Sequence, residues 1–115
     1  MESIRIIATF TAIASEKRER FQATARELTE LVASEEGTLE YSYYLTADEA
    51  RCLMIETYAS PEALSAHTAH VGHLLGSLFE AGGNVEVTIL GDPPEELLEA
   101  TANFQPTTYS LLASA

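Results

Sequence analysis

Basic residues are scarce in this chain: 6 Lys and Arg stand against 18 Asp and Glu, a formal net charge of -12 over 115 residues. A surface that acidic repels phosphate backbones and anionic lipid, which argues against nucleic-acid and membrane-surface partners. Cysteine is nearly absent. Cys52 stands alone, so no internal disulfide and no thiolate metal site can form within one chain. On a predicted strand it reads as a small core residue. Long apolar runs are missing too. The longest, near Ile4–Ile13, is too short to span a bilayer and contains Arg5. Met1-Glu2-Ser3 carries no basic segment, which argues against a secretory leader, and a cytoplasmic protein is expected. Gly and Pro are few, at 6 and 4, and hydrophobic residues make up 46%. That composition excludes chain-wide disorder and fits one domain with one real core. There is no phosphate-cradling Gly loop, no Ser nucleophile elbow and no dinucleotide fingerprint.

What is present is a regular alternation of strand and helix patterns. Ile4–Ile13 reads as a strand whose two faces, Ile4/Ile6/Ala8/Phe10/Ala12 and Arg5/Ile7/Thr9/Thr11/Ile13, are both partly apolar. Ser15 is placed as the N-cap of a helix over Glu16–Ser34, with Phe21, Ala25, Leu28 and Val32 as its buried stripe. Gly37 supplies a left-handed residue that ends it. A hairpin follows: Thr38–Thr46 and Arg51–Ala59 flank the polar turn Ala47–Ala50. Pairing Leu45 with Cys52 would set Tyr41 opposite Glu56 and Tyr43 opposite Met54; a one-residue slip would turn Glu56 to the other face. Ser60 and Pro61 form an N-cap and first-turn pair. Gly72 and Gly76 predict two helices, Pro61–His70 and His73–Ala81, rather than one. Gly82-Gly83-Asn84 breaks the chain before a strand at Val85–Leu90. Beyond a core of residues 1–91, Pro94–Asn103 reads as a short acidic helix, and Gln105–Ala115 as an added strand or an arm on a partner.

The order β-α-β-β-α-β is that of the α+β ferredoxin-like motif, an antiparallel sheet with helices on one face. Its second face is semi-apolar in either register, where a solvated face would alternate to charge. Burial against a second copy, as a homodimer, is the physical expectation.

Three groups of side chains could carry chemistry. His67, His70 and His73 stand at steps of three, on adjacent ridges of a helix, so a metal held pairwise is conceivable. Gly72 interrupts that helix and no carboxylate stands one turn away, so no metal site is expected and His70 and His73 read as exposed. Leu64 faces the core, which puts His67 at a pocket's edge, where a histidine can move a proton near neutral pH. The competing reading is a structural histidine bonding a backbone carbonyl. Glu56 is a carboxylate in a central strand, uncommon unless paired or useful; it could simply bond Tyr41, an arginine or a partner subunit. Tyr41, Tyr43, Tyr44 and Tyr58 offer an aromatic wall suited to a flat ligand, or ordinary cross-strand packing.

The run EGTLEYSYYLTADEARCLMIETYASPEALSAHTA, Glu36 to Ala69, resembles the antibiotic biosynthesis monooxygenase family, most closely from Gly37 to His70. The resemblance implies a dimeric α/β barrel made from two such sheets. It places His67 where the family commonly has a helix histidine, and Glu56 and Tyr58 where it has a glutamate two residues before an aromatic. It implies oxidation of small phenols, quinols or anthrones by O2 with no metal or bound flavin, the substrate itself activating oxygen. His67 would be the base, Tyr41 and Tyr58 would orient ring and anion, and Glu56 would tune one of them. The chain has no Trp, which several of the family's oxygenases place in the pocket. Haem-degrading relatives use an Asn, a Trp and a His; the first strand here has no Asn, so haem degradation is disfavoured. Two alternatives stand beside the oxygenase: a proton-transfer isomerase or degradation enzyme of a small signalling metabolite using His67 and Glu56, and a non-catalytic dimeric ligand-binding barrel.

Overall fold

A computed structural model describes residues 3–115 of the chain. Met1 and Glu2, which carry the expectation about a leader, lie outside the described residues. The elements run β1 (Ile4–Phe10), α1 (Arg18–Val32), β2 (Thr38–Leu45), β3 (Cys52–Tyr58), α2 (Pro61–Gly82), β4 (Val85–Leu90), α3 (Glu95–Ala100) and β5 (Thr107–Tyr109). The sheet order is β2-β3-β1-β4-β5. Its first four strands are antiparallel neighbours, as the ferredoxin-like order requires. β5 adds in parallel to β4, so the sheet is mixed rather than wholly antiparallel. The tail does supply an added strand, Thr107–Tyr109, while Leu111 and Leu112 lie beyond it and are exposed. Parallel pairing is open to it because α3 and a 3-10 turn at Ala102–Phe104 carry the chain back across the sheet.

The inner sheet face and the helices enclose the core. Phe21, Ala25, Leu28 and Val32 are all buried, the stripe that the helical spacing predicts. They meet Ala8, Phe10, Cys52, Met54, Val71 and Leu78 in one apolar cluster. A second cluster joins Ile4, Ile6, Tyr58, Leu64, Val87, Ile89 and Leu97. The outer face carries Arg5, Ile7, Thr9, Tyr44, Leu53 and Ile55, and among the described residues no helix covers it. Tyr44 is 57% exposed there.

Several local expectations are corrected. Ser15 does not cap α1: it opens a 3-10 turn, Ser15–Lys17, and Lys17 precedes the helix with no side-chain cap bond. The first strand stops at Phe10, although Ile13 is still buried. Gly37 is not left-handed. It is small because α2 starts against it: a Cβ there would stand 2.5 Å from the Ala63 Cβ. Gly72 and Gly76 do not divide α2, which runs unbroken to Gly82. Each glycine costs a helix only about 1 kcal/mol, and Leu64, Val71 and Leu78 recur at helical spacing across both. Ser60 caps α2 as predicted, its hydroxyl accepting from the Ala63 N–H at 3.1 Å, with Pro61 in the first turn. Strict alternation along Thr38–Thr46 predicts Leu39 on the face of Tyr41, Tyr43 and Leu45, but the β2–β3 register shifts between Thr38 and Glu40, and Leu39 is 61% exposed.

Candidate functional site

β3 fixes the inner side of the site. Its alternation sends Cys52, Met54, Glu56 and Tyr58 inward. Of the hairpin registers the sequence left open, the structure has the one with Leu45 opposite Cys52, Tyr43 opposite Met54 and Tyr41 opposite Glu56. α2 lays His67 over this row, one turn after Leu64. The His67 ring packs between two tyrosines, at centroid distances of 5.0 Å to Tyr58 and 5.5 Å to Tyr41. All four residues singled out in the sequence therefore meet, at one spot.

The spot is closed. His67 is 2% exposed, Glu56 8% and Tyr58 0%. Tyr58 donates its hydroxyl hydrogen to Glu56 Oε1. Burial pushes the Glu56 carboxyl up to about 7, against the pull of the Tyr58 bond and with a push from Glu35. Burial also raises the Tyr58 phenol, and the neighbouring Glu56 raises it further. Among the described residues His67 makes no bond to a backbone carbonyl. Its Nδ1 lies 2.9 Å from Glu35 Oε1. Its Nε2 is buried without a hydrogen-bond partner, 3.7 Å from Glu56 Oε1.

Glu35 is the residue that sequence reasoning missed. It sits in the connection between α1 and β2, where an acidic pair before a glycine reads as solvated surface. Three donors converge on it: the Thr38 hydroxyl at 2.6 Å, His67 Nδ1 at 2.9 Å and His70 Nδ1 at 2.7 Å. Burial alone would raise its carboxyl, but bonds from Thr38, His70 and His67 together hold it below the ordinary range. His70 is 39% exposed at the side chain, so it is a surface residue with an inward bond. The signal for the pair was the three-residue step between His67 and His70. Both rings reach a carboxylate thirty-odd positions away rather than one on their own helix. His73 is exposed and shares in none of this.

Beside the spot, a cleft of about 620 Å³ opens where α1 overhangs β2, a size that suits a small organic ligand. Phe21, Ala25, Tyr41, Tyr43 and Cys52 form its floor, with Arg26 and Glu30 on the α1 side. The Tyr41 and Tyr43 hydroxyls are bonded to each other at 2.8 Å. Burial raises both phenols, Tyr41 also through the neighbouring Tyr43 and Glu56, so both remain O–H donors at neutral pH. Burial likewise pushes the Cys52 thiol up to about 11, which makes it a poor nucleophile. Tyr41 both lines the cleft and packs on His67; His67, Glu56 and Tyr58 stand behind it and do not line the cleft.

The model of the antibiotic biosynthesis monooxygenases matches residues 3–75. The chain belongs to that family. Its fold is similar over its whole length to MupZ from Pseudomonas fluorescens, at 17% identity, TM-score 0.80 and 94% of that chain, so the likeness includes α3 and β5. A Bacteroides thetaiotaomicron protein of unknown function, described as a possible oxidoreductase, is 26% identical over 76% of this chain and 92% of its own, with a TM-score of 0.62. A Caulobacter crescentus protein named as a candidate antibiotic biosynthesis monooxygenase is 23% identical over 76% of this chain and 86% of its own, at TM-score 0.64. A search of curated proteins finds no match. Family and neighbours together support a monooxygenase-like function in coarse terms. Among the described residues no helix is long and apolar enough to cross a membrane.

Proposed function

We propose that the protein is a monooxygenase that oxidises a small flat phenol, quinol or anthrone-like compound in the α1–β2 cleft, without a bound cofactor. The observation that carries this reading is Tyr41: one residue joins an aromatic-walled cleft to a buried imidazole with an unpartnered nitrogen. The substrate hydroxyl rests on the Tyr41–Tyr43 hydroxyl pair. His67, whose ring packs on Tyr41, takes its proton, and the two phenols hold the resulting anion as donors. The anion reduces O2. One oxygen atom becomes the new product oxygen, and the other leaves as water with the hydrogens taken from the substrate. Glu56 tunes His67 from behind, and Tyr58 acts through Glu56 rather than on the substrate.

The cleft's floor favours this reading over the proton-transfer isomerase, which would need a smaller polar pocket for a sugar-like metabolite. The uncovered outer sheet face, with Ile7, Leu53 and Ile55, supports pairing of two copies into a barrel, as the family's habit suggests. The proposed partners are a second copy, the aromatic substrate and O2, in the cytoplasm.

The test is oxygen uptake by the purified protein against a panel of quinols, naphthols and anthrones. Uptake with at least one of them is expected, falling about 10²- to 10⁴-fold in His67→Ala and clearly reduced in Tyr41→Phe. Uptake unchanged in His67→Ala would remove the base role. No uptake with any flat phenol by the folded protein would favour the binding or isomerase readings.

A further inference from the structure

Glu35 has no part in the reading above, yet its geometry decides what His67 can do. Its carboxylate takes three hydrogen bonds: Thr38 and His67 on Oε1, His70 on Oε2. Three donors hold it ionised, and an ionised carboxylate only accepts. His67 Nδ1 must therefore carry a hydrogen. In the neutral ring the lone pair then lies on Nε2, the nitrogen that is buried and unpartnered. It faces the inner end of the site, 3.7 Å from Glu56 Oε1, which already accepts from Tyr58. A histidine serving only the fold would have satisfied that nitrogen, because an unmade bond in a dry site is unfavourable. On the other oxygen stands His70, part exposed. The three groups make one unbroken chain of bonds from solvent to the buried ring.

We propose that Glu35 is the positioning residue of the base: it fixes His67 with the proton on Nδ1 and the lone pair on Nε2, while the bond from His70 to its other oxygen holds the carboxylate in place. This rests on the reading of His67 as the base. The carboxylate also stabilises the imidazolium that forms when Nε2 takes a proton, as a buried carboxylate does for the histidine of a hydrolase triad.

Imidazole nitrogen NMR of the ligand-free protein at mildly alkaline pH tests the first half without any substrate. His67 is expected with its hydrogen on Nδ1 and a bare Nε2; the opposite tautomer overturns the proposal. Glu35→Leu is expected to release the ring to a mixture of tautomers and to lower kcat about 10²- to 10⁴-fold with KM little changed. A tautomer unchanged in that variant overturns it. His70→Ala keeps Glu35 and is expected to retain the His67 tautomer; a changed tautomer in that variant overturns Glu35 as the residue that fixes it. If Glu35→Leu does not fold, the native spectrum and His70→Ala still decide. A changed tautomer with unchanged turnover would instead count against His67 as the base, leaving the positioning geometry intact.

Discussion

Met54 and Glu56 are successive inward residues of β3, and Val71 and His67 are one turn apart on α2. Met54 and Val71 belong to a close-packed apolar cluster with Phe10, Phe21 and Leu78. Glu56 and His67 stand beside it under the same helix, a stride further along, followed by the second apolar cluster with Tyr58 and Leu64. Burial is nearly equal: Met54 is 1% exposed and His67 2%. Packing accounts for the first pair. Phe10 sits edge-on to Phe21 at 4.9 Å and stacks with Phe79 at 5.9 Å, as interiors near crystal density do. Packing does not account for the second, where a carboxyl and an imidazole interrupt what could have been one continuous core. Buried ionisable groups of this kind are often no better for stability than apolar residues of the same size. The difference says that the fold needs the first region and tolerates the second.

Three experiments break or sharpen this contrast. Phe10→Ala in the apolar region should cost about 3–5 kcal/mol, read as a shifted midpoint in denaturant, with no change in how stability depends on pH. The polar region should show the reverse. Glu56 ionises near 7 when folded, against an ordinary 4.5, so the folded chain keeps a proton that the unfolded chain loses between those values. Stability should therefore fall as pH rises from about 4.5 to about 7, by up to about 3 kcal/mol. Glu35 runs the other way, since its support is lost only as pH falls through its depressed value, so above pH 5 the Glu56 slope should dominate. Urea titrations across that range should show the slope in the native chain and lose it in Glu56→Gln. Finally, Glu56→Met together with His67→Leu would extend the apolar core across the gap. Stability is expected unchanged or raised by about 1–4 kcal/mol, with turnover gone. A large loss of stability would make the pair a structural device.

Much of this was legible in the chain. The hairpin itself was legible because a short polar turn ties two strongly alternating strands, but its register was not: a one-residue slip keeps the same alternation, and only the fold puts Tyr41 opposite Glu56. The stripe of α1 was legible because helical spacing and burial agree there. Other features depended on what lies far away in sequence. Gly37 reads as a helix stop, but its reason is Ala63, 26 positions on. α2 reads as two helices because glycine lowers local propensity, and only the buried side of Leu64, Val71 and Leu78 overrides it. Glu35 has no periodic setting at all. A carboxylate in a connecting segment gains its partners from a helix that the local sequence does not mention. The cleft was invisible for the same reason: it is a gap between α1 and β2, and pattern reading finds surfaces that meet rather than those that stand apart.

The two ends of the sheet carry one more lesson. One border strand, β5, is three residues long. The other, β2, is interrupted by the register shift near Leu39. A short border and a kinked one are both poor templates for a stray chain seeking backbone partners. With a net charge of -12 on top, the protein should stay dispersed at concentrations where a flat-edged sheet of this size would begin to form fibres.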